Sequence, residues 1–155
     1  MNEIARRLSE NKSTVRQAFE PFLDRAGDLH LAENPDWSVR DVLAHLTAAE
    51  TGMRRMIEIM VAKGGYHFKP YNRDQLNTQR IAEMEAHSAA DLLAAWEAGR
   101  DQTIALADRL TAEQLAYSGS DHYWGEITTQ TIFETAIRHT NTHAGEVRRL
   151  QNVTS

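Results

Sequence analysis

Apolar residues recur three and four positions apart along the chain, and this spacing limits what the chain can fold into. The first such run comprises Val15, Phe19, Phe22, Ala26 and Leu29, which would share one face of an α-helix. No segment alternates β-branched and polar residues in the manner of a half-buried strand, so we expect no β-strands. Only three prolines and eight glycines interrupt the 155 residues. The sequence therefore predicts an all-α protein.

A proline and a capping motif bound the first two of four long helices. The first helix extends to about Leu29, and Pro21 either kinks it or separates it from a short N-terminal helix, because proline cannot donate a helical hydrogen bond. Ser38 followed by Asp41 resembles a capping box. The second helix is therefore predicted over about 39–61, and the sequence KGG ends it.

A long connection separates the second and third helices. It covers residues 65–87, and its second half is predicted to form a short helix from Asn72, because a structureless link of this length is uncommon in a compact domain. Ser88 repeats the capping signal and opens a third helix that runs to about Leu110. Residues 111–115 are predicted to add a brief helical turn.

The last helix begins after a threonine. Thr128 is a suitable cap, and Ile127 and Ile132 occupy staple positions, so this helix is predicted to run to about Gln151. Four long amphipathic helices predict a four-helix bundle that takes in residues 1–155 as a single domain. The short link after the first helix predicts that the first two helices are antiparallel neighbours, whereas the long connection before the third helix permits a crossover.

Composition excludes several classes of partner. The formal net charge is −5, from 17 basic and 22 acidic residues, and the basic residues form no tract. Nucleic acid and anionic membranes both need clustered positive charge, so neither is expected as a partner. No run approaches the roughly 20 apolar residues of a spanning helix, and the N-terminus lacks the apolar core of a signal peptide. Because the chain also has no cysteine, we expect a cytoplasmic protein.

Histidines are the residues with the most distinctive chemistry. Four of the seven lie at helix ends or in connections: His30, His67, His87 and His122. The other three lie on or beside apolar helix faces. His45 belongs to the second helix, while His139 and His143 stand four positions apart in the last helix, one above the other on one face.

Two interpretations of the three helical histidines remain open at this point. Each ring could pack at the edge of the core with a single hydrogen bond. If the rings converge, however, they carry six ring nitrogens that need partners, and a metal ion would take up three of these nitrogens. A three-histidine site without a fourth protein ligand would keep open coordination positions, as catalytic sites do.

The ligand type leaves the metal unidentified, because imidazole suits zinc, nickel, copper and iron. The sequence HTNTH has Thr140 where the His-Glu-x-x-His signature needs its glutamate, which argues against a metalloprotease.

Glu146 has a functional and an ordinary interpretation. It follows His143 by three residues and would accept a ring N–H or act as a base. Alternatively it would pair at the surface with Arg149, and this second interpretation is favoured. Glu50 is interpreted in the same way, and Asp41 is most simply a charge at a helix N-terminus. No catalytic residue is assigned.

Aromatic residues cluster in the two connections that flank the histidine-bearing helices. They are Tyr66, Phe68, Tyr71, Tyr123 and Trp124. These side chains would line the mouth of a pocket over the histidines, or they would anchor the long loops on the bundle.

Three stretches taken in order resemble a known family. WSVRDVLAHLTAAE at 37–50 combines Trp-Ser with a helix that bears a histidine, and RHTNTHAGEV at 138–147 carries His-x-x-x-His on a late helix. Together they resemble the DinB/YfiT-like superfamily of metalloenzymes over nearly the whole chain. YNRDQLNTQRIAE at 71–83 is similar to the connection in members related to thiol-dependent S-transferases and to the maleylpyruvate isomerase N-terminal group.

The resemblance implies an up-down-down-up four-helix bundle, often a homodimer, with a long crossover between the second and third helices. His45, His139 and His143 match the positions that bind a divalent metal at one end of the bundle, and zinc and nickel are the favoured metals. Members include thiol-dependent transferases, isomerases and hydrolases. The resemblance therefore implies a low-molecular-weight thiol as a second cofactor and a small electrophilic molecule as the substrate.

Three functions are compatible with these features. The first is a metal-dependent transferase or hydrolase whose metal activates a thiol or a water molecule, with the substrate entering between the helix ends and the loops at 64–72 and 118–127. The second is a non-catalytic bundle that binds or sequesters a small molecule in stress or toxin resistance. The third is an interaction module whose histidines only pack.

Overall fold

The computed structural model of the protein describes residues 1–154 and is mainly helical. Its α-helices are α1 (Glu3–Phe19), α2 (Val39–Lys63), α3 (Arg73–Glu83), α4 (Ala89–Arg109), α5 (Ala112–Leu115) and α6 (Thr129–Thr154). Two short strands, β1 (Ser118–Asp121) and β2 (Gly125–Thr128), form an antiparallel hairpin ahead of α6. None of the helices within residues 1–154 has the length and apolar character that crossing a bilayer requires.

Side-chain caps start the long helices where the sequence predicts them. The Ser38 hydroxyl accepts a hydrogen bond from the Asp41 amide, and the Asp41 carboxylate accepts one from the Ser38 amide, which completes the predicted capping box. The Ser88 hydroxyl caps α4 by accepting from the amide of Asp91, and Thr128 caps α6 in the same way. At the other end of α2, Gly64 adopts the left-handed conformation that ends the helix.

Pro21 breaks the first helix, and this changes how the next helix is placed. α1 ends at Phe19, and two short 3-10 turns follow at Glu20–Phe22 and Arg25–Asp28. The link to α2 therefore covers residues 20–38, which is long enough to cross the end of the bundle. As a result α1 and α2 lie at opposite corners, each packed against α4 and α6. The prediction that the first two helices are neighbours was wrong, because it placed the end of the first helix about ten residues too late.

Contacts between helices establish their directions. Lys12 pairs with Asp101 and Arg16 with Glu97, so α1 and α4 run antiparallel. Corresponding contacts show that α1 is parallel to α6 and that α2 is parallel to α4. Because α4 is antiparallel to α1 and parallel to α2, whereas α6 is parallel to α1, α2 and α6 run antiparallel. The four long helices thus follow the up-down-down-up order, and the predicted fold is confirmed.

Two apolar clusters fill the bundle, and a polar layer lies between them. One cluster includes Val15, Leu43, Leu93, Trp96 and Val147, and the other includes Leu8, Ile57, Met60, Ile132 and Phe133. The polar layer consists of Asn11, Glu50, Arg100 and Thr140, with one residue from each long helix, all of them buried. Arg100 donates to both carboxylate oxygens of Glu50, at 2.9 and 3.0 Å. The expectation that Glu50 is a surface residue was therefore wrong.

The loop after α2 pairs with the hairpin, although no strands were expected. The Phe68 amide donates to the Ser120 carbonyl at 2.9 Å, and the Ser120 amide donates to the Tyr66 carbonyl at 3.1 Å. A side chain at Gly119 would place its Cβ 1.8 Å from the Tyr66 carbonyl oxygen, so only glycine permits this approach. Strands of four residues are too short to show the alternation that sequence patterns reveal. The pairing brings both connections to one opening of the bundle.

Candidate metal centre

The three helical histidines meet between α2 and α6. His139 and His143 stand one turn apart on α6, and the antiparallel packing of α2 brings His45 opposite to them. The Nε2 atoms of His45 and His139 are 2.8 Å apart, and those of His139 and His143 are 3.2 Å apart. One ring nitrogen from each residue lies within 4.8 Å of the others. The helices thus bring together all three histidines that the sequence singled out.

Burial keeps two of these rings neutral. Desolvation lowers the pKa of His45 to about 3, and the charges of His143, Arg80 and Arg73 act in the same direction. Desolvation also lowers the pKa of His139 to about 3, with further contributions from His45 and His143. A neutral imidazole keeps a lone pair on one nitrogen. At neutral pH these two rings therefore offer nitrogen donors rather than positive charge.

Glu146 orients the third ring. Its Oε2 atom lies 3.1 Å from Nδ1 of His143, and a carboxylate accepts a hydrogen bond there only if Nδ1 carries the proton. In a neutral ring this leaves the lone pair on Nε2, the atom that faces His139. The surface pairing expected for Glu146 is replaced, because Arg149 forms its ion pair with Glu33.

The donor set fits one divalent ion. Imidazole nitrogens bound tetrahedrally at about 2.0–2.1 Å lie about 3.3 Å from each other, close to the 2.8 and 3.2 Å separations of the Nε2 atoms. Three imidazole nitrogens with no cysteine suit zinc, nickel, copper or iron. Three protein ligands leave at least one coordination position for another molecule.

Trp37 encloses the cluster from the side of the bundle end. Its ring centroid lies 5.0 Å from that of His45 and 6.3 Å from that of His143. The indole therefore shields two of the rings from water and restricts their rotation. Trp37 belongs to the family motif in the sequence, and nothing in the spacing of residues predicted this contact with the histidines.

The other histidines lie away from this cluster. His30 is exposed and bonds through Nδ1 to a backbone carbonyl at 2.7 Å, and His87 is exposed at the end of the connection. His67 bonds to the hydroxyl of Ser120 at 2.8 Å, which helps to hold the loop on the hairpin. His122 stacks edge-on against its neighbour in the hairpin turn.

A cavity of about 340 Å³ opens beside His45 and His139. Phe68, Tyr71 and Trp124 line it, as expected of residues at a pocket mouth. Tyr123 has the other predicted role, since its hydroxyl donates to the Tyr71 carbonyl at 2.8 Å and so anchors the hairpin on the connection. Both interpretations of the aromatic residues therefore apply, to different members of the set.

Sequence reasoning missed the polar residues that α3 and the hairpin contribute to the cavity. Arg73, Asn77 and Arg80 line it, and their spacing of four and three residues places them on one helix face. That spacing was a readable signal. Asp121 lines the cavity from the hairpin and is buried. No sequence pattern predicted its burial, because the hairpin itself was not predicted.

Fold and site together define a class: an up-down-down-up helical bundle with a three-histidine cluster between its second and last long helices. A model of the DinB superfamily matches residues 2–147, so the chain belongs to the DinB superfamily. The family predicted from the three sequence stretches is thereby confirmed. None of the curated proteins matches the chain significantly.

Two solved structures share the fold. YfiT from Bacillus subtilis, described as "a probable metal-dependent hydrolase with an unusual four-helix bundle topology", superposes with a TM-score of 0.82 at 17% identity, over 99% of this chain and 90% of that one. The colibactin self-resistance protein ClbS, solved in complex with a dsDNA, superposes with a TM-score of 0.74 at 17% identity, over 96% of this chain and 93% of that one. At such identities the likeness shows the fold.

Proposed function

We propose that this protein is a metal-dependent enzyme in which His45, His139 and His143 hold one divalent ion, with zinc and nickel as the favoured metals. The observation that carries the proposal is the convergence of three ring nitrogens within 4.8 Å beside a cavity of about 340 Å³. A small molecule fits such a cavity. Membership of the DinB superfamily and the description of YfiT as a probable metal-dependent hydrolase support the same function.

The proposed reaction is attack of a thiol or a water molecule on a small electrophilic substrate. A divalent ion with an open position supplies Lewis acidity, which lowers the pKa of a thiol or water and provides a nucleophile near neutral pH. The chain's own residues position the ligands: Glu146 fixes the tautomer of His143, and Trp37 packs on His45. The apolar walls of the cavity exclude bulk water from the reacting groups.

Metal content is the first test of the proposal. Protein purified without a histidine tag is expected to carry close to one divalent ion per chain, measured by mass spectrometry of the metal, because the chain itself supplies three ligands. Consumption of electrophiles, with and without low-molecular-weight thiols, then distinguishes a transferase from a hydrolase. Metal-free protein whose stability does not respond to a chelator would contradict the proposal.

A second function remains a candidate because the cavity can bind a molecule without converting it. In that case the protein would sequester a small molecule, and the likeness to ClbS, described as a self-resistance protein, agrees with this role. Binding without turnover of any thiol and electrophile pair would favour it. The homodimer and the cytoplasmic location stay predictions.

Glu146→Ala is expected to weaken metal binding by about 10–100-fold, the usual effect of losing the outer hydrogen-bond partner of a ligand. The reason is that His143 Nδ1 loses its acceptor at 3.1 Å, so the ring is free to rotate and to change tautomer. Competition with a chelator of known affinity measures the change. Glu134→Ala is the matched control, since Glu134 lies on α6 and pairs only loosely with Arg7 at 3.8 Å. Equal affinities of the two variants would contradict the role of Glu146.

A further inference from the structure

The cavity beside the histidines concentrates positive charge in an acidic protein. Over the whole chain, 22 acidic residues outnumber 17 lysines and arginines. Around the cavity the balance is reversed, because Lys69, Arg73 and Arg80 line it together with a single carboxylate, that of Asp121. All three cations come from the connection between α2 and α4. None of the three cations belongs to the apolar clusters of the bundle core.

Arg80 is available to a ligand. Within the described residues 1–154, neither Arg80 nor Lys69 forms a salt bridge. The guanidinium of Arg80 reaches across α2 at Gly52, where Nη1 would lie 3.5 Å from an added Cβ.

Arg73 is held at the mouth of the cavity by the hairpin. Its guanidinium carbon lies 4.6 Å from the centre of the Tyr123 ring. Its backbone amide donates a hydrogen bond to the Tyr123 hydroxyl at 2.8 Å. The nearest carboxylate, that of Asp74, is 3.9 Å from Nε and is exposed. Such a contact contributes little, so the charge of Arg73 is also available.

Asp121 does not neutralise these cations. Its Oδ2 atom accepts hydrogen bonds from the amides of Tyr123 and Trp124, at 2.9 and 3.2 Å, and therefore serves the hairpin turn. Its Oδ1 atom is buried and has no partner within the described residues. A buried oxygen of this kind is costly unless another donor reaches it.

We propose that the cavity binds a small molecule with an anionic group, a carboxylate or a phosphate, which Arg80 and Arg73 hold beside the histidine cluster. This inference rests on the proposed function, because it takes the bound anion to belong to the substrate or to the thiol cofactor. Guanidinium groups bind carboxylates and phosphates by paired, charge-assisted hydrogen bonds. The anion therefore anchors one end of the ligand, and the apolar walls receive the remainder.

The test is calorimetric titration of the purified protein with three probes: succinate, glycerol phosphate and the uncharged succinamide. At least one of the two anions is expected to bind at least about tenfold more tightly than succinamide, and Arg80→Met is expected to remove about tenfold of that affinity. Stronger binding of succinate or of glycerol phosphate identifies the anion as carboxylate or phosphate. Arg55→Met is the matched control, because Arg55 is exposed on α2 and does not line the cavity.

Equal binding of the anions and succinamide, or equal losses in the Arg80 and Arg55 variants, would overturn the proposal. Arg73→Met provides a second variant, and circular dichroism shows whether either variant is unfolded. Repeating the titration with His139→Ala separates this inference from the proposed function. Anion binding that survives in that variant supports the arginine site even if no metal is found, whereas metal binding without anion binding contradicts the arginine site alone.

Discussion

Methionine in place of Arg100 is expected to lower the free energy of unfolding by about 3–5 kcal/mol. Arg100 is fully buried, and the carboxylate of Glu50 that it neutralises is 3% exposed. Removing the guanidinium leaves that carboxylate without its two hydrogen bonds at 2.9 and 3.0 Å. It also removes one of the two donors that lie 2.6 Å from Oδ1 of Asn11, the other being the Thr140 hydroxyl. Urea denaturation followed by circular dichroism measures the loss.

Arg16→Met is the matched control for this loss. Arg16 on α1 likewise donates two hydrogen bonds to one carboxylate, that of Glu97 on α4, but the Arg16 side chain is 45% exposed. Its removal is expected to cost less than about 1 kcal/mol, because solvent screens the pair. Replacing Glu50 by leucine together with Arg100→Met should restore much of the stability. Equal losses from the two arginine variants would refute the assignment of Arg100 to a buried ion pair.

The polar layer also has a consequence for the site. It joins all four long helices, and its member on α6, Thr140, follows His139 directly in the chain. The Thr140 hydroxyl lies 2.6 Å from Oδ1 of Asn11, which fixes the rotation of α6 about its axis. His139 consequently points toward α2 rather than toward the core. The residue that replaces the protease glutamate in HTNTH thus has a structural role.

The candidate site was largely predictable because it depends on helical periodicity. Spacing of four residues places His139 and His143 on one face without knowledge of any other helix. His45 was placed by the same argument, on a stripe of its own helix. Glu50 could not be placed in this way, because its burial depends on Arg100, which is 50 positions further along the chain. The apolar pattern of one helix does not show which residue of another helix a side chain will pair with.

The arrangement of the helices depended on one boundary. Moving the end of α1 from about Leu29 to Phe19 lengthens the following link, and the longer link lets α2 occupy the opposite corner. Helix ends are the least certain part of a sequence-based assignment, since several residues near Pro21 satisfy the apolar pattern. The hairpin was missed for a related reason: its close approach to the loop at Tyr66 is marked in the chain by two isolated glycines, Gly65 and Gly119, and not by a repeating pattern.

His139→Ala is expected to abolish the stabilisation of the protein by metal. For the natural chain, a divalent ion present at 100 times its dissociation constant adds about 2.7 kcal/mol to the free energy of unfolding, provided that it binds only the folded state. His139 lies between the other two rings, 2.8 Å from His45 and 3.2 Å from His143. Without the His139 ring, only the nitrogens of His45 and His143 remain to bind the ion. The metal-dependent shift in Tm, with zinc or nickel against chelator, measures the effect.

His87→Ala provides the control, because His87 is exposed and lies outside the cluster; it should keep the full metal-dependent shift. His139→Ala should lose more affinity than the roughly 10–100-fold expected for loss of the partner of His143, since it removes a ligand rather than a support. A variant that retains the shift of the natural chain would refute the metal centre. A fall in Tm that is the same with metal and with chelator would assign the three histidines to packing instead, because only a packing role is independent of the ion.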